Sequence, residues 1–244
     1  MAKQSGLGQR FYAHGYDISG DVGSITKAAS PSGVQDVTAI NVSGHERRHT
    51  LVDGELSWQG FFNDASSQIH DALKATRQTD WILSWLLGTD AGDQVANLVA
   101  QQMNYDYTRA ADGGITNACQ GLSDSGYGLE WALLLTAAGK VTHASADDET
   151  GIDHGAQTTD GGVGFLQHFS GGSGTIEYDL EDSSDSTDGD DGTWANLLAF
   201  TDVATPYAAT AQRVEVTGTV ERWVRASTNG TFTNAVFHMS FLRN

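Results

Sequence analysis

Cysteine is almost missing from this 244-residue chain: Cys119 is the only one. That excludes an intrachain disulfide framework and any multi-cysteine zinc site. Basic residues are also scarce, 13 Lys and Arg against 31 Asp and Glu, for a formal charge of −18. Such a surface repels nucleic acid, and its cations are scattered, with no basic patch to grip phosphates. Long apolar runs are absent. The longest candidate, Trp81 to Leu87, is far too short to cross a bilayer, so no membrane insertion is expected. Met1 to Arg10 has no apolar h-region, so no secretory signal is expected. Proline is rare, 2 residues against 29 glycines, so few strand edges are blocked by it.

What remains is rich in Gly, Val, Thr, Trp and Phe, which points to a mainly β fold with tight turns. Phe11 to Gly20 reads as strand, turn and strand. Gly33 to Ile40 holds the next strand, with Val34 and Val37 as its anchors. Asp53-Gly54 is a turn pair leading into an alternating strand: Leu56, Trp58, Gly60 and Phe62 share one face, and Glu55, Ser57, Gln59 and Phe61 the other. A helix is expected over about 64–79, capped by Ser66 or Ser67, with Ile69 and Leu73 as its apolar stripe. Trp81 to Leu87 reads as a buried strand ended by Gly88. Residues 93–109 are assigned to a strand from Gln101 onward, and Ile115 to Leu122 to another.

Further on, 128–135 and 140–145 read as a hairpin around Ala137 to Lys140, and 146–162 as a loop. Val163 to Phe169 and Gly174 to Leu180 read as two strands joined by Gly171-Gly172-Ser173. Strands are also expected at 211–216, 221–226 and 233–242. The organisation falls into two parts: 1–145, with the helix, and a β-rich 146–244, either completing the first sheet or forming a second surface domain.

Candidate chemistry is thin. The acidic run Asp182 to Gly192 suggests calcium, but its serines and Thr187 break the alternating acidic order that an EF-hand loop needs. His45 and His49 are four apart, yet Arg47 and Arg48 would set two cations beside any metal. Gly171-Gly172-Ser173-Gly174 has the wrong spacing for a nucleophile elbow, and no phosphate loop is present. Cys119 reads as a small buried hydrophobe. Trp58, Trp81, Trp85, Trp131 and Trp223 read as core, and Trp194 as the exposed one. No catalytic, cofactor or metal site is assigned.

One order of motifs stands out. Val37-Thr38 is followed by a polar segment, then by Leu51-Val52-Asp53-Gly54-Glu55-Leu56-Ser57-Trp58-Gln59-Gly60-Phe61-Phe62-Asn63 and the helix. Val99 to Tyr107, Gly126 to Trp131, and the closing Gly230 to Phe237 with Phe241 to Asn244 continue it. This succession resembles the major tail tube proteins of long-tailed bacteriophages that infect actinobacteria.

The resemblance implies a β-sandwich or barrel flanked by a helix, forming hexameric rings that stack into the tail through which DNA leaves. It implies a place in the virion tail, after assembly in the host cytoplasm, beside a tape measure and a tail terminator. DNA would pass without specific binding. The signature of the tube strand would be Asp53, Gly54, Trp58, Gly60 and Phe62. The inter-ring loop would be about 40–52, with His45, Glu46, Arg47, Arg48 and His49 as contacts. Arg47 and Arg48 would dock on carboxylates of the next ring, such as Glu55 or those of 182–191, since the planar guanidinium fork matches a carboxylate. Two other functions compete: a minor tail or capsid-decoration protein with a glycan-binding β domain, and a glycan hydrolase, which would need two carboxylates facing each other across a cleft.

Overall fold

The structure, a computed structural model, describes residues 6–74, 79–124 and 126–244, with Gln102 and Met103 described by their backbone alone. Strands β1 (Arg10–Ala13) and β2 (Tyr16–Asp17) open the chain, followed by β3 (Val22–Ala29), β4 (Ser32–Asp36), β5 (Arg47–Val52) and β6 (Glu55–Phe61). One short helix, α1 (Ile69–Leu73), precedes β7 (Trp81–Leu86), β8 (Gln94–Arg109), β9 (Ile115–Ser123), β10 (Glu130–Leu134) and β11 (Val141–His143). The short β12 (Asp147–Asp148) and β13 (Ile152–Asp153) lead to β14 (Gly162–Ser170), β15 (Ser173–Ser183), β16 (Ala195–Ala199) and β17 (Val203–Ala204). The chain closes with β18 (Thr210–Val216), β19 (Trp223–Thr233) and β20 (Ala235–Arg243). Among the described residues no helix is long and apolar enough to cross a membrane.

The chain forms two compact units. The sandwich unit comprises Met1–Ser19, Ser84–Asn97 and Trp131–Asn244, and the hairpin unit Gly20–Leu83 and Leu98–Glu130. The break expected after residue 145 thus falls inside the sandwich unit. Composition changes there, but β11 and β12 on either side serve the same unit, pairing with β20 and β19.

In the sandwich unit β18, β14, β20 and β10 form one antiparallel sheet in that order, and β16, β15 and β19 form another, edged by β12 and β13. Leu166, Phe237, Met239 and Phe241 from the first meet Ile176, Tyr178, Leu180, Val224 and Phe232 from the second. Two expected hairpins are corrected here. β14 and β15 do not pair; the Gly171-Gly172 link carries the chain from one sheet to the other, and Asn234 does the same between β19 and β20. The two corners are tied together, Gly172 donating its backbone N–H to Thr233 O at 2.6 Å. Likewise β10 and β11 do not pair with each other. Both lie along β20, with Leu133 opposite Phe241 and Val141 opposite Phe237, separated by a 3-10 turn at Ala137–Gly139.

In the hairpin unit β3, β6, β9 and the second half of β8 make an antiparallel sheet. The alternation of β6 places Leu56, Trp58 and Gly60 inward, where α1 covers them with Ile69, Ala72 and Leu73. The helix is five residues, shorter than the expected 64–79, of which 75–78 lie outside the described residues. Neither serine caps it. Ser67 is left-handed at φ 64°, and the N-cap position is held by Gln68 without a side-chain bond. The buried carboxylate of Asp21 takes over, accepting the Ile69 N–H at 3.1 Å and the Asn63 amide at 2.9 Å.

Candidate assembly surface

The residues singled out by the sequence lie on the β4–β5 hairpin and the strand that follows it. β4 and β5 pair only with each other, Val34 opposite His49, Gln35 opposite Arg48 and Asp36 opposite Arg47. A bulge between Ser32 and Val34 interrupts the β4 side. All six residues of β5 are exposed.

The hairpin tip is organised by Asp36. Its carboxylate accepts the Thr38 N–H at 3.0 Å, the Thr38 hydroxyl, and a bond to His45 Nδ1 at 3.0 Å. These bonds, Thr38's first, hold the Asp36 carboxyl below the usual carboxylate range. The Thr38 hydroxyl in turn accepts the Glu46 N–H at 2.9 Å, and the Val37 N–H meets Glu46 O at 2.9 Å. Asp36 and Thr38 were missed as organisers. An Asp-x-Thr spacing is the only local signal for such a turn.

At the hairpin base, the Asp53 N–H donates to Pro31 O at 2.9 Å. Asp53-Gly54 is not the expected turn: β5 and β6 on either side of it do not pair. Gly54 is glycine for space, because a Cβ there would stand 2.6 Å from Leu98 Cδ1, and its N–H donates to Ser123 Oγ at 2.8 Å. Gly60 has the same reason, a Cβ there falling 2.5 Å from Asp21 O. Glu55 anchors the start of β6 by accepting from Lys27 at 2.5 Å, Ser57 at 2.7 Å and Gln120 at 2.9 Å. Those three bonds, Lys27's first, hold its carboxyl down at about 2. A neighbour's arginine would have to displace Lys27 to use it.

The hairpin leaves large apolar groups in water. Val34 and Val37, expected as anchors, are exposed, as are Val42 and Val52, while Ile40 is 108% and Leu51 87% exposed. Among the described residues, Arg47 and Arg48 stand in no ion pair. Elsewhere Arg213 pairs with Glu215 at 2.6 Å, Arg222 forks onto Asp153 at 2.7 and 2.5 Å, and Arg225 reaches Glu181 and Asp148 at 2.6 and 2.7 Å. Of the tube-strand signature, Trp58 and Gly60 are buried, and Phe62 lies past the end of β6, 37% exposed.

The other sequence candidates have structural roles. In the 182–191 loop, Asp191 accepts from Ser186, Thr187 N and Thr187 Oγ1, and Asp185 from Ser183 and Thr193. The loop's own backbone and hydroxyls thus occupy those carboxylates. Trp194 is half-buried, its indole N–H on Asp191 O at 2.9 Å and the Arg225 guanidinium over its ring. Trp131, expected in the core, is instead 43% exposed. It alternates with the inward Ala132 on a strand too short to bury both faces. Cys119 is buried, and burial pushes its thiol up to about 12.

No protein-family model matches the chain, and no curated protein matches it. Solved structures similar to it include a chain from the virion of a native gene transfer agent particle, at 15% identity and TM-score 0.39 over 52% of this chain and 98% of that one. Another is SPP1 Dit, described as a paradigm of the hub adsorption apparatus in phages infecting Gram-positive hosts, at 11% identity and TM-score 0.37 over 96% and 99%. A third is a chain of the phage p2 baseplate in its activated conformation with Sr, at 7% identity and TM-score 0.36 over 95% and 97%.

Proposed function

We propose that the protein is a structural component of a phage virion and, within it, the subunit of the tail tube. Copies join into rings, hexameric as the sequence resemblance implies, and rings stack into a conduit for DNA ejection beside the tape measure and tail terminator proteins. The observation that carries the reading is the β4–β5 hairpin. A two-stranded ribbon is marginal on its own in water. This one also holds exposed Ile40 and Leu51 with the unpaired Arg47 and Arg48. Each of those features is stabilised once another surface covers the ribbon. Apolar burial contributes roughly 25 cal/mol per Å², and arginine forks bind carboxylates well in partly dry interfaces.

The net charge supports the same reading. A conduit for DNA must not bind phosphates, and the chain has few free cations to do so. We read the role as assembly, not catalysis, since carboxylates such as Glu55, Asp153 and Asp191 are committed to internal partners.

Negative-stain microscopy of the purified protein tests the reading. Hollow stacked rings are expected, and the double variant Arg47→Ala with Arg48→Ala is expected to give rings or monomers without stacks. Tubes of normal length from that variant would sink the role given to the hairpin, and small globular particles alone from the unaltered protein would sink the tube.

A further inference from the structure

The sandwich unit carries an open cleft on the flank where both of its sheets end. β16 is the edge of one sheet and β18 the edge of the other. Residues of both line a cleft of about 510 Å³, within the usual size range of a small-molecule site. Ala195, Leu197 and Val216 give it an apolar wall. Ser184, Asn196, Thr217 and Thr219 add exposed hydroxyl and amide groups.

Asp182 sets this cleft apart. Ile176, Tyr178 and Leu180 face the core from β15, and strand alternation puts Asp182 on that same inner face. A carboxylate thus stands at a position that continues the row of core hydrophobes. It is 7% exposed and lines the cleft. Its Oδ2 accepts the Glu221 N–H at 2.8 Å. Desolvation raises its carboxyl above the ordinary value. A carboxylate so far removed from water gains from each further donor that reaches it. Asp185, three residues on, is already supplied by the Thr193 N–H at 2.7 Å and the Ser183 hydroxyl at 2.9 Å.

Charge and edge geometry narrow the ligand. Asp182, Asp185 and Glu221 all line the cleft and oppose an anion, phosphates and acidic sugars included. A metal ion is opposed by Arg243, whose charge acts on both Asp182 and Glu221. Among the described residues, no three His, Cys, Asp or Glu side chains are grouped to hold one. An added peptide strand is opposed by the edges themselves. A bulge at Leu197 breaks the register of β16, which blunts an edge for pairing. Gln212 of β18 is tied to the Thr201 backbone by two bonds of 2.7 Å. An uncharged ligand rich in hydroxyls meets every one of these conditions. It donates to the carboxylates, exchanges bonds with Asn196 and the threonines, and lays its C–H face on Leu197 and Val216.

We propose that this cleft binds a neutral carbohydrate, with Asp182 and Glu221 as acceptors for its hydroxyls. The site lies within the sandwich unit and uses no residue of the β4–β5 hairpin, so it stands whether or not copies stack.

Saturation-transfer NMR with galactose, arabinose, mannose and N-acetylglucosamine tests it. At least one of the four should receive saturation from the protein and shift the Thr193, Thr217 and Thr219 amides, and glucuronic acid should do neither. Asp182→Asn keeps an acceptor for the Glu221 N–H and should weaken binding about tenfold or more. Because Asp182 is buried, a second variant separates binding from folding. Thr219→Trp, at an exposed position, fills the cleft and should abolish the transfer with the urea midpoint unchanged. Trp131→Ala, at an exposed indole of the same unit, should leave binding unaltered. Saturation of none of the four sugars, or binding that survives Thr219→Trp, would overturn the site. Binding lost in Trp131→Ala but kept in Asp182→Asn would move it to the indole and overturn it here. Binding of a polythreonine peptide in place of the sugars would make the cleft a strand-docking groove and overturn it equally.

Discussion

The β4–β5 hairpin and the sandwich unit are both built from antiparallel pairs, yet they dispose of their chemical groups in opposite ways. The sandwich buries Tyr178, Phe237 and Phe241 between its sheets. On the reverse face of β14 and β20 it closes a polar chain, in which Gln167 donates to Ser84 at 3.0 Å, Ser84 to Asn97 at 2.7 Å and Asn97 to Ser240 at 3.2 Å. Gln167 also accepts the Gly15 N–H at 2.6 Å, which seats the β1–β2 turn. Buried polar groups arranged so satisfy one another and fix one packing. The hairpin does none of this: its apolar groups face water and its arginines have no carboxylate. A sheet region that completes itself serves as scaffold; under the proposed function, one that leaves both kinds of group open serves as a joint.

The sharpest way to break that contrast is to damage one region and watch the other property. Trp58→Ala empties a site that is 1% exposed under α1. It should cost about 3–5 kcal/mol, read as a lower urea midpoint. Leu51→Ser, on the hairpin, should change monomer stability by less than about 0.5 kcal/mol while removing stacks. A large stability loss from Leu51→Ser would mean that the hairpin packs within its own chain, and the contrast would fail.

Acid should separate the regions next. His168 and His238 are fully buried in the sandwich unit, and burial pushes both down to about 4. His238 donates from Nδ1 to Gly139 O at 2.9 Å, and His168 Nδ1 meets Tyr178 Oη at 2.7 Å. Each folded value lies below the unfolded 6.5, so the unfolded chain binds protons first as pH falls. Stability is intact above about 6.5 and is lost progressively down to about 4, up to about 2 kcal/mol per histidine at about pH 5. Buried Asp182, raised by desolvation, works in the opposite sense. Urea unfolding followed at pH 7 and pH 5 checks the sign, and equal midpoints for the sandwich would contradict it.

Gly60→Ala probes a tighter point. The new methyl would meet Asp21 O, the carbonyl that also accepts the Phe61 N–H at 2.8 Å. Overpacking of this kind costs roughly 1–3 kcal/mol. Hydrogen exchange should show the Phe61 and Ile69 amides losing protection together, because Asp21 serves both.

The β character, the buried run at Trp81, the inward set Leu56, Trp58 and Gly60, and the buried Cys119 were legible because each depends on local alternation or side-chain type. What was not legible depends on distant partners. Nothing near Gly171 says that β14 and β15 belong to different sheets; that follows from β20 and β19, which lie some sixty residues further on. Asp53-Gly54 has the composition of a turn, but Leu98 and Ser123 set its real constraint. The helix was overextended because its start is held by Asp21, 48 residues away in sequence. The exposed cations Arg47 and Arg48 stand out in the sequence by charge, whereas Phe62, Tyr107 and Ile115 come together only through the register of β6, β8 and β9.

The smallest effect concerns the hairpin's own order. Asp36 is exposed, so its bonds to Thr38 and His45 should add little to global stability, and they still define the tip. Asp36→Ala removes the acceptor for the Thr38 N–H and hydroxyl, and with it the orientation in which Thr38 Oγ1 receives the Glu46 N–H. The Val37, Thr38 and Glu46 amides should then exchange faster, with the urea midpoint unchanged. Since the Asp36 carboxyl sits below its ordinary value, the same fraying should appear in the unaltered protein only when the pH falls through that lowered value, below the pH at which His168 and His238 begin to cost stability. Fraying of the tip at about pH 5 would show that Asp36 is not what holds it.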